Sequence, residues 1–260
     1  MIGGIIGDII GSIYEDGNMK SKDFPLWNDN CHFTDDTVLT IATADWLLNG
    51  GRCEDYYYSY AAQFPSCGYG TGFIKWYFTR KYHNKYVPYN SYGNGSAMRV
   101  GPIGWVFDSI EEVLRVSQVS AICTHNHKEG IRGAQAIASC VFLARKGKTK
   151  EEIRHFTENT FNYNVSTSLK EIKKIYKWDV TCQQTVPHAI ISFLESKDFE
   201  DCIRNAVSLG GDSDTIACMA GAIAEAFYGI PTELREKVLE FIPQAFVNII
   251  NPFEKRFGNN

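Results

Sequence analysis

The chain has no surplus of positive charge. Its 260 residues carry 26 Lys and Arg against 30 Asp and Glu, a formal net charge of -4. That removes the electrostatic case for a nucleic-acid partner or an anionic membrane surface. Long apolar runs are also missing. The stretch from Met1 to Gly7 is broken by Asp8, is too short to span a bilayer, and has no basic leader. No close Cys-x-x-Cys pair occurs. The eight cysteines (Cys31, Cys53, Cys67, Cys123, Cys140, Cys182, Cys202 and Cys218) stand apart, several of them inside apolar helical patterns. The six His residues join no cysteine set at zinc spacing, so a soft metal site has no support. Buried free thiols suit a reducing compartment, and the expected location is cytoplasmic. Two-residue alternation, the mark of a half-buried strand, is absent, and no internal repeat stands out.

What remains is a helical chain. Hydrophobic residues make up 44% and charged residues 22%, the balance of a globular protein. The length suits one large domain over residues 1–260, expected to be a monomer. Residues 2–14 read as an apolar helix in which Gly3, Gly7 and Gly11 recur every four positions, clearing one face for a neighbouring backbone. Asp8 on that helix is read as a buried cap for a nearby helix end. Further helices are expected over 34–48, 52–64, 73–79, 129–146, 199–209, 232–240 and 243–250. Capping boxes at Ser109-Glu112, Thr149-Glu152 and Thr181-Gln184 open three more. The expectation is all-α, with about a dozen helices.

Two stretches concentrate oxygen ligands at helix starts. Gly210-Gly211-Asp212-Ser213-Asp214-Thr215 leads into a helix of small apolar residues, and Thr34-Asp35-Asp36-Thr37 opens another. One N-cap needs one acceptor oxygen, and each cluster offers more. Carboxylates at the mouth of a buried helix are costly without compensation. A hard divalent cation takes such ligands. Between the clusters, Tyr92-Gly93-Asn94-Gly95-Ser96 offers backbone N–H groups that can cradle phosphate, or forms an ordinary turn. It lacks the Gly-Lys-Ser/Thr ending of a Walker loop.

Four segments together resemble the ADP-ribosylglycohydrolase family: Gly7-Asp8-Ile9-Ile10-Gly11-Ser12-Ile13-Tyr14-Glu15, Thr34-Asp35-Asp36-Thr37, Asn94-Gly95-Ser96-Ala97-Met98-Arg99 and Gly211-Asp212-Ser213-Asp214-Thr215. They fall in the family order and span nearly the whole chain. The resemblance implies a single compact multi-helix orthogonal bundle and a site with two Mg2+ ions, Mn2+ suiting the same ligands. Thr34, Asp35 and Asp36 would supply one half of the site and Asp212, Asp214 and Thr215 the other. It places Glu15 beside the reacting ribose, with Asp36 and Asp214 at the catalytic centre. It places Asn94, Gly95, Ser96, Met98 and Arg99 around the diphosphate and distal ribose, Arg99 pairing either with phosphate or with an acidic helix. His125, in Thr124-His125-Asn126-His127, matches a family histidine near the ligand. The implied partner is an ADP-ribosylated protein side chain or a small ADP-ribose derivative. A two-metal nucleotide phosphoesterase or pyrophosphohydrolase would use the same residue types, as would a noncatalytic ADP-ribose-binding protein.

Overall fold

A computed structural model describes residues 1–15 and 17–258. Among the described residues fourteen α-helices follow one another, interrupted by two 3-10 turns at Asn94–Ser96 and Met98–Val100. The helices are α1 (Ile2–Gly11), α2 (Asp35–Asn49), α3 (Cys53–Gln63), α4 (Thr71–His83), α5 (Ile103–Val106), α6 (Ile110–Ile122), α7 (Lys128–Arg145), α8 (Lys150–Phe161), α9 (Leu169–Ile175), α10 (Cys182–Leu194), α11 (Phe199–Val207), α12 (Ser213–Tyr228), α13 (Thr232–Val238) and α14 (Gln244–Phe257). Among the described residues there is no β-strand, only an isolated antiparallel bridge between Gly93 and Thr181. All ten residues of α1 are buried.

The four-residue glycine spacing sets the central contact. A Cβ placed on Gly3 would lie 2.4 Å from the Gly221 carbonyl oxygen, and one on Gly7 would lie 2.0 Å from that of Ala217. No side chain fits there, so α1 and α12 meet backbone to backbone. The small residues of α12 complete the match, and α7, α10 and α11 pack around the same helix. On the other side of the core, α2 packs against α3 and α14 and against the 3-10 turn at Met98–Val100.

Local capping signals hold in several places. Thr149 and Glu152 form a reciprocal box. Ser109 accepts from the backbone N–H of Glu112, and Asp198 from that of Asp201. Three expectations need correction. The first helix ends at Gly11 rather than 14, because the chain turns: Tyr14 N–H donates to the Gly11 carbonyl, and the Tyr14 hydroxyl reaches that of Pro25 at 2.6 Å. Glu15 therefore follows a turn and does not end a helix. The Thr181 side chain makes no cap bond. The Thr181 N–H, which a box would give to Gln184, donates to Asp179 Oδ1 at 2.7 Å, and its neighbours pair with residues 92–94, Asn94 N–H donating to Val180 and Cys182 N–H to Tyr92. The helix expected at 73–79 runs from Thr71 to His83 and stops at Asn84, which takes a left-handed conformation with φ 53°. A further box, Ser168 with Glu171, opens α9, a helix outside the expected set.

Candidate active site

The start of α2 is fixed from outside. Asp8, buried on α1, accepts from Thr34 N–H at 3.0 Å, the Thr34 hydroxyl at 2.7 Å, Thr37 N–H at 3.0 Å and the Thr37 hydroxyl. It is the cap that its position suggested. Capping by Asp8 leaves the carboxylates of α2 for other work. Asp35 donates its backbone N–H to the Cys67 carbonyl at 2.6 Å, and its side chain lines a cleft.

The start of α12 is fixed by shape. Gly210 and Gly211 have φ of 72° and 67°, values that favour glycine. A Cβ on Gly210 would meet the Asn18 side chain at 2.3 Å. Ser213 donates its hydroxyl to the Gly11 carbonyl at 3.0 Å. A Cβ on Gly11 would lie 2.4 Å from the Asp214 Cα, so α1 supports the acidic turn directly. The two helix starts meet where the Thr215 hydroxyl donates to Asp36 Oδ2 at 3.2 Å.

Five residues from distant segments thereby converge. Asp8, Asp36 and Asp214 form one group of candidate ligands, and Glu15, Asp212 and Asp214 another; within each, one oxygen per residue lies within 4.8 Å of the others. Asp214 belongs to both. Asp36 Oδ1 and Asp214 Oδ1 are buried with no hydrogen-bond partner among the described residues. Burial foremost, then neighbouring carboxylates, raises the Asp36 and Asp214 carboxyls well above the usual range. Burial also raises Asp212, against the hydrogen bond from Asn94, and Asp8, against its four threonine donors. Asp35, outside both groups, is pushed up to about 8 by burial and by Asp8 and Asp212. Orphaned anionic oxygens packed this closely fit a hard divalent cation. Thr34 and Thr215 stand at the edge, their hydroxyls bonded to Asp8 and Asp36.

The cleft above this floor has a volume of about 720 Å3. Glu15, Thr34, Asp35, Asp36, Asp212, Asp214 and Thr215 line it, together with Asn94, Gly95, Met98, Arg99 and His125. Ser96 is not among the lining residues. Its hydroxyl donates to the Gly130 carbonyl at 2.8 Å and ties the loop to α7. The Asn94 side-chain amide donates to Asp212 Oδ2, so it orients a carboxylate. The Met98 carbonyl accepts from the Thr40 hydroxyl and the Cys218 thiol, both at 3.5 Å, joining α2 and α12 through the loop.

Arg99 is fully buried. It donates to the Ser120 carbonyl at 2.6 Å and the Thr124 hydroxyl at 2.9 Å, with its guanidinium 4.3 Å from the Tyr57 ring centre. These contacts involve no acidic helix. Its Nε and Nη1 have no acceptor among the described residues. His125 Nδ1 lies 2.8 Å from the Thr124 hydroxyl, and a Cβ on Gly95 would lie 3.2 Å from its Nε2. Burial, with Arg99 nearby, lowers the His125 pKa well below the ordinary value and keeps the ring neutral. His127 instead caps α7 by accepting from Glu129 N–H. Segments 66–73 and 178–181 also wall the cleft. Their sequence signals, turn glycines and a lone exposed Trp178, do not distinguish them from ordinary loops.

A model of the ADP-ribosylglycohydrolase family matches residues 1–257. The chain belongs to this family. Over 333 residues it is 28% identical to ADP-ribosylhydrolase ARH3 of Mus musculus, covering 98% of the chain and 87% of that protein. It is 27% identical to the Homo sapiens protein of the same name, covering 88% and 84%. ADP-ribosylarginine hydrolase Tri1 of Pseudomonas putida is 25% identical, covering 92% and 72%. A solved structure described as an ADP-ribosylglycohydrolase-related protein complex shares the fold, with a TM-score of 0.74 at 20% identity over 98% of this chain and 95% of the other. The chain is therefore an ADP-ribosylglycohydrolase, all-α like its structural neighbour. No helix among the described residues is long and apolar enough to cross a membrane.

Proposed function

We propose that this ADP-ribosylglycohydrolase binds two divalent cations, Mg2+ or Mn2+, and releases ADP-ribose from an ADP-ribosylated protein side chain or small derivative. The observation that carries the reading is the pair of carboxylate groups sharing Asp214 at the floor of the cleft. Thr34, Asp35 and Asp36 would hold the cations from α2, and Asp212, Asp214 and Thr215 from α12. When bound, they supply positive charge that orients ribose hydroxyls and makes water more acidic. The same reading takes the protein as a monomer, and its eight free cysteines suit a cytoplasmic setting.

Cleaving the glycosidic bond develops oxocarbenium character at the anomeric carbon. Glu15 sits with Asp212 and Asp214 where that charge would grow. There it accepts a proton from the attacking water or orients the ribose. The backbone N–H of Gly95 is assigned to the diphosphate, with Asn94, Ser96 and Met98 holding the loop. The unmatched Arg99 nitrogens and the neutral His125 ring support the same placement for the anion.

The test treats arginine-linked and serine-linked ADP-ribosyl peptides with protein in Mg2+, Mn2+ or chelator. Mass spectrometry then reads both products. Intact ADP-ribose, released only with metal, is expected. Glu15→Gln should slow release by about 100-fold or more, the usual scale of lost acid–base catalysis, while calorimetry shows metal binding weakened less than by Asp214→Ala, which touches both groups. AMP as the product would replace this reading with pyrophosphate cleavage. Tight ADP-ribose binding without turnover of any substrate would replace it with a binding protein.

A further inference from the structure

The helix that leads out of the cleft has two faces, and only one serves the core. On α4, Phe73 and Trp76 are buried, Phe73 stacking on Tyr69 and Trp76 on Tyr86. Ile74, Phe78 and Tyr82 lie four residues apart, so they share another face. They are 41%, 42% and 69% exposed. The Phe78 and Tyr82 rings stack at 5.7 Å with 7° between their planes, and Lys81 Nζ lies 5.9 and 5.8 Å from them. Val87, just past the helix, is exposed too. Exposed apolar side chains gathered on one helix face are a candidate interaction surface.

Charge says what the patch would meet. Residues 56–107 contain Lys75, Arg80, Lys81, Lys85 and Arg99 and no Asp or Glu, in a chain whose net charge is -4. Lys75, Lys81 and Lys85 are exposed beside the apolar stripe. Asp55, on the neighbouring helix α3, is already engaged by the Tyr86 hydroxyl at 2.8 Å. Position says why. Thr71, Gly72 and Phe73, the first turn of α4, line the cleft, as do Tyr89 and Asn90 beyond its far end. The stripe from Ile74 to Tyr82 is about 12 Å long, the reach of about four extended residues.

We propose that this face of α4 docks the acceptor polypeptide, gripping an apolar and acidic segment beside the ADP-ribosylated residue. The inference rests on the glycohydrolase reading above and deepens it: the acceptor is a protein chain, and its flanking residues are read by charge and by aromatic contact. Ion pairs with Lys75, Lys81 and Lys85 would set the register, and Phe78 and Tyr82 would anchor apolar side chains.

Two variants test it: Ile74→Ser/Phe78→Ser/Tyr82→Ser, and Lys75→Glu/Lys81→Glu/Lys85→Glu. Each is first checked for wild-type helical content. Substrates are an ADP-ribosylated peptide with Leu, Asp and Glu flanks, the same peptide with Gly and Ser flanks, and ADP-ribosylated free amino acid. Fluorescence anisotropy of the labelled acidic peptide reads docking apart from turnover. For the acidic-flanked peptide, both variants should raise KM and weaken binding by about 10-fold with kcat unchanged. They should leave kcat/KM for the free amino acid at the wild-type value. Equal KM for the two peptides on the wild type, or variants that bind the acidic peptide as tightly as wild type, would overturn the proposal. Absence of ADP-ribose release from all three substrates would overturn the glycohydrolase reading instead, while anisotropy still decides the docking.

Discussion

The starts of α2 and α12 are built from the same residue types and are held in opposite ways. At α2, hydrogen bonds do the work: a carboxylate from another helix, Asp8, accepts from Thr34 and Thr37. At α12, shape does it: two left-handed glycines, a hydroxyl on the Gly11 carbonyl, and a bare glycine face under Asp214. Both supports come from α1. The difference explains how functional carboxylates escape the ordinary fate of acids at helix starts. With Asp8 holding the helix start, Asp36 can leave its Oδ1 without a donor. Asp8 carries four hydrogen bonds even though one of its oxygens lies with those of Asp36 and Asp214, whereas Asp36 Oδ1 and Asp214 Oδ1 have no partner among the described residues.

The sharpest way to break this contrast is to remove one acid of each kind. Asp8→Ala strands four donors and should cost about 3–5 kcal/mol in metal-free protein, since each buried unsatisfied group costs about 1–3 kcal/mol and neighbours relax in part. Asp36→Asn should do the reverse. It removes a buried charge crowded by Asp8 and Asp35, so metal-free stability should hold or rise while metal stabilisation disappears. Urea unfolding with and without Mg2+ reads both. Equal losses in the two variants would end the distinction between structural and functional carboxylates.

A smaller effect sharpens the shape side. Gly11→Ala puts a methyl group against the Asp214 backbone and should cost about 1–3 kcal/mol, as overpacking does. Because the strain lies beneath Asp214, metal affinity measured by calorimetry should fall with it. Unchanged affinity in a destabilised variant would mean that α1 supports the fold and not the site.

The smallest expected effect is on pH dependence. Asp35 has its pKa raised to about 8 in the folded protein, from an ordinary value of 3.8. A raised carboxyl contributes stability that is fully present below the unfolded value and is lost as pH rises through the folded one. The metal-free protein should therefore lose a few degrees of Tm between about pH 4 and pH 8. Mg2+ competes with those protons, so its stabilisation should grow over the same window. A metal-free Tm that climbs across this range would contradict the crowding.

Legibility in the sequence followed distance along the chain. The caps at Thr149 and Asp198 lie within a few residues of what they cap, and the glycine spacing of α1 is a property of one helix. The acidic starts were readable for the same reason, and the family resemblance brought them together. Long-range partners were not readable. Asn94 was expected at the ligand, and its amide is bonded to Asp212. For Arg99 the acidic-helix alternative gives way to a carbonyl, a hydroxyl and the face of Tyr57, while Nε and Nη1 have no acceptor among the described residues. Thr181 carries the box pattern, but Asp179 Oδ1 takes the N–H that the box needs. Ser168 carries the same pattern with no such competitor, and there the box forms.

The closeness of α1 and α12 also governs when the molecule can take shape. Their meeting joins residues about 200 positions apart, so a ribosome working at about 5–20 residues per second separates the two helices by roughly 10–40 s. During that interval α1, every residue of which ends up buried, has no α12 to cover its glycine face. Contacts of such long range form slowly and late. The acidic centre lies at this last junction, so a nascent chain interrupted before α12 carries half of a cation site and a bare apolar helix. Such a chain is a natural client for a chaperone and gains the ability to hold metal only when the final fifth of the sequence arrives.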